Sequence, residues 1–126
     1  MAGLTYDTGA LLAAEANDRR MWAIHRRTLE RSHIPTIPAG ALAQAWRDDP
    51  QPLLSRLIDT VTIDPLDELA ARLAGVLLGR AGGSNVVDSS VVTGALRRGD
   101  AVVTSDRDEL TRLADAAGRR LHIIAI

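Results

Sequence analysis

The segment Ala101-Val102-Val103-Thr104-Ser105-Asp106-Arg107-Asp108 decides the fold, because a short apolar run ends in hydroxyl groups and acids that open a helix. An apolar run of this length predicts a buried central strand over residues 101–104. A helix is expected from residue 108 to 117, followed by a final strand over residues 121–126. Buried strands that alternate with helices are typical of a parallel sheet covered on both faces.

The same alternation of strand and helix continues back to the start of the chain. Strands are predicted over residues 4–6, 34–38, 61–63, 101–104 and 121–126. Helices are predicted over residues 10–31 with a break near Asn17-Asp18, 42–46, 52–58, 64–78, 85–96 and 108–117. Asp64 is expected to cap the fourth of these, with Pro65 at its first position. We predict one domain over residues 1–126, an α/β/α sandwich of three layers with a mostly parallel central sheet.

Composition excludes several classes of protein. The chain of 126 residues is 46% hydrophobic and 25% charged, which is typical of a globular domain. It has no Cys, which excludes disulfides, zinc-thiolate sites and cysteine nucleophiles. All fifteen basic residues are Arg, and the absence of Lys disfavours a Walker A loop. No apolar run is long enough to span a bilayer, so we expect a cytoplasmic protein that does not associate with membranes.

Acids follow the predicted strands or open the predicted helices at three separate places in the chain. Asp7 follows the first strand, Asp88 lies three residues after the helix cap Asn85, and Asp106 and Asp108 follow the strand at 101–104. Each acid also has a simpler role open to it, as a helix cap or as a first-turn acid. Because the carboxyl ends of parallel strands share one crevice, we expect all four acids at the same edge of the sheet.

Carboxylates that are brought together repel one another and are stabilised by a cation between them. Mg²⁺ or Mn²⁺ is therefore the expected ligand. Divalent metals neutralise phosphate and activate water, so hydrolysis of a phosphodiester is the expected chemistry. His25, His33 and His122 lack the spacing of metal ligands and are expected at the surface or at a sheet edge. The serines have no His partner in a recognisable arrangement, which disfavours a serine hydrolase.

Four segments, in this order and spacing, resemble the PIN-domain family and, within it, the VapC-type toxin ribonucleases of bacterial type II toxin–antitoxin modules. The segments are Asp7-Thr8-Gly9-Ala10-Leu11, Ile37-Pro38-Ala39-Gly40-Ala41-Leu42-Ala43-Gln44-Ala45-Trp46-Arg47, Asn85-Val86-Val87-Asp88 and Val103-Thr104-Ser105-Asp106-Arg107-Asp108. The resemblance covers nearly the whole chain. One departure is Gln44, which stands where many members carry Glu.

The resemblance implies a metal-dependent endoribonuclease that hydrolyses RNA with a metal-activated water. Mg²⁺ or Mn²⁺ would be held by Asp7, Asp88, Asp106 and Asp108. Gln44 would take part in catalysis, and the hydroxyls of Thr104 and Ser105 would position substrate. The family also implies a homodimer and silencing by a cognate VapB-like antitoxin.

Two alternatives compete with this interpretation. Gln44 brings no negative charge, so the first alternative is a PIN-like module that binds RNA or a protein partner with weak or absent catalysis. The second is a phosphohydrolase that forms an aspartyl phosphate. It is disfavoured because Gly9 occupies the place of a second acid after Asp7, and because no Lys is present to stabilise a phosphoryl group.

Overall fold

Strand β4, Ala101–Thr104, lies inside a sheet of five strands and is buried along its whole length. The computed structural model describes residues 3–126, so Met1 and Ala2 of the predicted domain lie outside the described residues. The other strands are β1 Leu4–Tyr6, β2 Thr36–Pro38, β3 Thr62–Asp64 and β5 Ile123–Ala125. The helices are α1 Thr8–Glu15, α2 Arg19–Glu30, α3 Ala39–Ala45, α4 Pro52–Ile58, α5 Glu68–Ala81, α6 Val86–Arg98 and α7 Arg107–Ala116.

The sheet has the order β3-β2-β1-β4-β5, and every neighbouring pair is parallel. Because crossovers between parallel strands are right-handed in nearly all cases, this strand order puts α1, α2 and α4 on one face and α5, α6 and α7 on the other. Helix α3 follows β2 directly and contacts both α1 and α6. The structure confirms the predicted α/β/α sandwich of three layers, with a central sheet that is entirely parallel.

Helix boundaries follow the capping residues closely. The predicted break between the first two helices is confirmed, because Asp18 caps α2 and accepts a hydrogen bond from the amide of Met21 at 2.8 Å. The predicted cap at Asp64 is wrong. Asp64 ends β3, where it pairs with Pro38, and its carboxylate binds Arg98. Asp67 caps α5 instead and accepts from the amide of Ala70 at 2.9 Å.

Histidine 25 is buried, so its predicted place at the surface or an edge is wrong. Thr60 donates its hydroxyl to the carbonyl of Leu57 and therefore accepts from His25 Nε2 at 2.8 Å. His25 Nδ1 is then an acceptor for the hydroxyl of Tyr6, also at 2.8 Å. This chain of hydrogen bonds assigns a neutral imidazole, and burial lowers the pKa of His25 in agreement with it.

Arg98 connects three segments on the α6 face of the sheet. Its guanidinium donates to Asp64 Oδ2 at 2.6 Å, to Asp100 Oδ2 at 3.0 Å and to the hydroxyl of Thr5 at 2.9 Å. Thr5 in turn donates to Asp100 at 2.8 Å, and the Asp100 side chain is only 8% exposed. One cation therefore compensates two carboxylates at the ends of β3 and β4.

Replacing Arg98 with Met should lower the free energy of unfolding by about 2 kcal/mol. The change leaves the nearly buried carboxylate of Asp100 without its cation. The loss should be smaller than for a fully buried ion pair, because the side chains of Arg98 and Asp64 are partly exposed to water. Urea denaturation followed by circular dichroism measures the change. Arg56→Met is the matched control, because Arg56 on α4 is exposed and forms none of the ion pairs in the described residues. Equal stability of the two variants would contradict a structural role for the Arg98 network.

Candidate metal centre

The topological switch point of the sheet lies between β1 and β4. The chain leaves β1 towards β2 on one side and leaves β4 towards β5 on the other. In open parallel sheets the connections diverge at such a point and leave a crevice at the carboxyl ends of the strands. Asp7 follows β1 and Asp106 follows β4, so both predicted acids lie at this crevice.

Asp7 is held rigidly at the start of α1. One carboxylate oxygen, Oδ1, accepts a hydrogen bond from the amide of Ala10 at 2.9 Å, which makes Asp7 the helix cap. The other oxygen, Oδ2, accepts from the buried hydroxyl of Thr104. Only 5% of Asp7 is exposed. Burial raises the pKa of Asp7 and the charge of Asp106 adds to the rise, while the hydrogen bonds from Thr104 and Ala10 act against it.

Thr104 joins the two acids that follow β1 and β4. Its hydroxyl donates to Asp7 and accepts from the backbone amide of Asp106 at 2.8 Å. Asp106 caps α7 and is exposed, and its Oδ1 accepts from the amide of Glu109 at 3.4 Å. Thr104 therefore fixes the position of one acid through its side chain and of the other through its backbone.

Asp88 reaches the same crevice from α6. This helix precedes β4 and runs antiparallel to it, so its first turn lies at the carboxyl edge of the sheet. Asn85 caps the helix and accepts from the amide of Asp88 at 3.0 Å, as predicted. Partial burial raises the pKa of Asp88 to about 6, and the charges of Asp7, Glu109 and Asp106 contribute to the rise. Three predicted acids are thus close enough for their charges to repel.

Glu109 is the acid that the sequence analysis did not select. It lies one helical turn after Asp106, and its charge acts on Asp88. Arg112 binds both of its carboxylate oxygens, at 2.8 and 3.1 Å, and lowers the pKa of Glu109. Its spacing of three residues from Asp106 is the only signal for it in the sequence, and that spacing is also typical of a capping pattern. Asp108 is exposed in the first turn of α7, and its charge is not among those that shift the pKa of Asp88.

Gln44, Ser105 and Gly9 lie around the crevice. Gln44 on α3 is exposed, and its carbonyl oxygen accepts from the hydroxyl of Thr8, the neighbour of Asp7, at 2.7 Å. Ser105 is exposed beside the start of α1. A Cβ atom built on Gly9 would lie 2.0 Å from Ser105 Oγ and 3.1 Å from Ser105 Cβ, so the two turns contact each other closely. Gln44, predicted to take part in catalysis, and Ser105, predicted to position substrate, thus both lie next to the segment that carries Asp7.

The donor set fits a hard divalent cation in its chemistry, because it offers carboxylate oxygens whose mutual repulsion a cation would relieve. The placement of these carboxylates fits a metal site less well than their chemistry does. Within residues 3–126, no group of three His, Asp or Glu side chains has the placement of a common metal site. Thr104 and Ala10 each donate one hydrogen bond to an oxygen of Asp7, and each of these oxygens keeps a lone pair that could bind a cation.

Comparison with known proteins supports the architecture. No family model and no curated protein matches the chain. The crystal structure of PAE2754 from Pyrobaculum aerophilum matches it with a TM-score of 0.65, over 97% of this chain and 83% of that one, at 16% sequence identity. At this identity the likeness concerns the fold alone. In the part of the chain that the structure describes, no helix has the length and apolar character needed to cross a bilayer.

Proposed function

We propose that this chain is a metal-dependent endoribonuclease and acts as the toxin of a toxin–antitoxin pair. The observation that supports the proposal best is the meeting of Asp7, Asp88 and Asp106 at the switch point, where partial burial, together with the charges of the neighbouring acids, raises the pKa of Asp88 to about 6. Clustered acids with raised pKa values in a crevice are candidates for a functional site. The sequence resemblance to VapC-type toxins supplies the choice of RNA as substrate.

Asp7, Asp88 and Asp106 would hold Mg²⁺ or Mn²⁺, which would neutralise the phosphate and lower the pKa of a bound water. The side chains of this chain do the rest. Thr104 orients Asp7 and Asp106, and Ser105 offers a hydroxyl to the phosphate at the rim. Glu109 adds negative charge beside Asp88. Asp108 is exposed at the start of α7, and it would contribute to the site only if its side chain turned towards the other acids. Gln44 stays tied to Thr8 and can steady the start of α1.

The antitoxin partner belongs to the same proposal. A VapB-like protein would silence the enzyme by covering the acidic crevice, and basic side chains would match its charge. Copurification of the chain with the product of a neighbouring small open reading frame, followed by loss of cleavage in the complex, would test this part.

Cleavage of end-labelled total bacterial RNA by the purified chain tests the enzyme directly. We expect discrete fragments with Mg²⁺ or Mn²⁺ and intact RNA with chelator, because the carboxylates alone cannot neutralise a phosphate. Calorimetric titration of each metal, with and without RNA, accompanies the assay. Identical fragments with metal and with chelator would contradict the proposal.

A binding module is the second candidate, and two observations favour it. The acids of residues 3–126 do not form a ready-made group of three ligands, and Gln44 brings an amide where a further carboxylate would add charge. If the chain binds RNA in chelator, and neither metal binds at millimolar concentration with RNA present, this candidate replaces the enzyme.

A further inference from the structure

A cavity of about 350 Å³ lies between helix α2 and the edge of the sheet at β5. Leu4 of β1 and Ile124 of β5 form its floor. Leu4 precedes Tyr6 by two residues, and Tyr6 contacts His25 of α2, so both strand residues face this helix. The volume lies within the range of about 300–1,000 Å³ that is typical of small-molecule sites. The cavity is therefore large enough for a small organic ligand.

Arginines form the wall of this cavity. Arg20, Arg27 and Arg31 line it, and Ile24 lies between the first two. Residues spaced by three or four positions share one face of a helix, so the three arginines follow one stripe along α2. All three are exposed, whereas Ile24 is partly buried. The cavity thus has a positively charged rim above an aliphatic interior.

The charge of this rim is not compensated. Among the described residues, no Asp or Glu lines the cavity. Within residues 3–126, neither Arg20, Arg27 nor Arg31 forms an ion pair. Arginines elsewhere in the fold do have such partners, as Arg72 and Arg112 each bind a carboxylate. Positive charge that is concentrated around a cavity and left without acids favours an anionic ligand.

Phosphate is the anion that fits one end of the stripe best. The planar guanidinium of arginine donates two parallel hydrogen bonds to a phosphate. Arg27 and Arg31 are one helical turn apart, about 6 Å along the axis, so their side chains can bind the same phosphate. His33, which also lines the cavity, offers a further ring nitrogen nearby.

The rest of the cavity fits a flat, largely apolar group. Leu4, Ile24 and Ile124 present aliphatic surface, which a bare phosphate or a sugar phosphate would leave uncovered. Arg20 lies about 10 Å from Arg27 along the helix axis. Its guanidinium can stack on an aromatic ring or donate to the acceptors of a nucleobase. A nucleotide has both the phosphate and the ring at such a separation.

We propose that this cavity binds a mononucleotide. The 5′-phosphate lies on Arg27 and Arg31, and the base lies over the aliphatic floor beside Arg20. The inference is independent of the proposed nuclease, because none of the residues that line the cavity belongs to the acidic crevice.

Calorimetric titration of the full chain with the 5′-monophosphates of adenosine, guanosine, cytidine and uridine tests the proposal. The buffer contains a chelator, so that the result does not depend on metal at the acidic crevice. We expect at least one nucleotide to bind about tenfold or more tightly than its nucleoside, ribose 5-phosphate or inorganic phosphate. Failure of all four to bind at millimolar concentration would overturn the proposal. Inorganic phosphate that binds as tightly as the nucleotides would overturn it too.

A matched pair of variants separates the site from the general charge of α2. Arg27→Gln should weaken binding of the nucleotide by about tenfold or more, because it removes charge-assisted hydrogen bonds to the phosphate. Arg26→Gln is the control, since Arg26 is exposed on the same helix and does not line the cavity. Equal losses in the two variants would show that binding follows net charge, and would overturn the site.

A third variant tests the position of the base. Ile124→Ala removes part of the aliphatic floor and should weaken binding of the nucleotide while leaving that of ribose 5-phosphate unchanged. Unchanged affinity for the nucleotide in this variant would overturn the placement of the base. An oligonucleotide without a 5′-phosphate that binds more tightly than every mononucleotide, and does so equally well to Arg27→Gln, would identify a general surface for RNA instead.

Discussion

Replacing Asp88 with Asn is expected to reduce metal-dependent RNA cleavage by about 100-fold or more, while making the metal-free protein more stable. Loss of groups that merely support metal ligands typically costs about 10–100-fold in affinity or activity, and a ligand should cost at least as much. Stability should change in the opposite direction because Asp88 is ionised at neutral pH although it is partly buried and lies near the charges of Asp7, Asp106 and Glu109. Functional sites commonly carry such a conflict between activity and stability.

The pH dependence of this stability gain follows from the raised pKa. An Asp in the unfolded chain ionises near pH ~3.9, whereas Asp88 in the folded chain ionises at about pH 6. Below about pH 4 both states hold the proton, so wild type and Asp88→Asn should be equally stable. The wild type loses stability relative to the variant as the pH rises from about 4 to 6. Above that range the variant should be more stable by about 1 kcal/mol, a value reduced for solvent screening around a half-exposed group.

Chemical denaturation at pH 4 and pH 7.5, with and without Mn²⁺, measures these effects together. Metal should stabilise the wild type through binding to the folded state and should stabilise Asp88→Asn much less. Asp115→Asn is the control, because Asp115 is exposed on α7 away from the acids whose charges raise the pKa of Asp88. Equal stabilisation of all three proteins by Mn²⁺ would show that the metal binds elsewhere.

Replacing Thr104 with Val is expected to weaken metal binding by about 10–100-fold, although Thr104 is not proposed as a ligand. The change removes the donor to Asp7 Oδ2 and the acceptor for the amide of Asp106, so both acids lose their fixed positions. Because the buried acceptor Asp7 Oδ2 is left without its donor, the free energy of unfolding should also fall, by about 1–3 kcal/mol. Calorimetric titration with Mn²⁺ measures the affinity.

Two further variants separate positioning from a general loss of stability. Thr104→Ser keeps the hydroxyl and should recover most of the metal affinity. Thr28→Val also removes a buried hydroxyl, whose partner is the carbonyl of Ile24 at 2.8 Å, and should lower stability with no change in metal affinity. If Thr28→Val weakened binding as much as Thr104→Val, the effect of Thr104 would be one of stability alone.

The sequence was sufficient to predict the sheet and the meeting of the acids. Apolar runs that alternate with capped helices predict parallel strands, and parallel strands place Asp7 and Asp106 at one edge whatever the order of the strands. Asn85 could be identified as a cap because an Asx side chain there satisfies the amide three residues on. These are local or topological rules that need no knowledge of side-chain packing.

Other features depend on contacts between distant segments and could not be predicted from local patterns. Asp64 has the sequence of a helix cap, but Arg98, 34 residues later, binds its carboxylate. His25 lies on a helix rich in arginine, yet Tyr6 and Thr60 enclose it from two other segments. Glu109 acts on Asp88 only because α6 and α7 meet at the crevice. In each case the partner is remote in sequence, and its position is fixed only by the folded chain.

The contact between Gly9 and Ser105 has a consequence for the spacing of the acids. Gly9 in the first turn of α1 lies against the side chain of Ser105 in the turn after β4, and a methyl group on Gly9 would collide with Ser105 Oγ and Cβ. Asp7 lies two residues before Gly9 and Asp106 lies one residue after Ser105, so this contact limits how closely the two acids can approach each other. Gly9, which has no side chain, thereby helps to determine the distance between the two acids. The size of an ion that could lie between the two acids would then depend on this steric contact as well as on their charges.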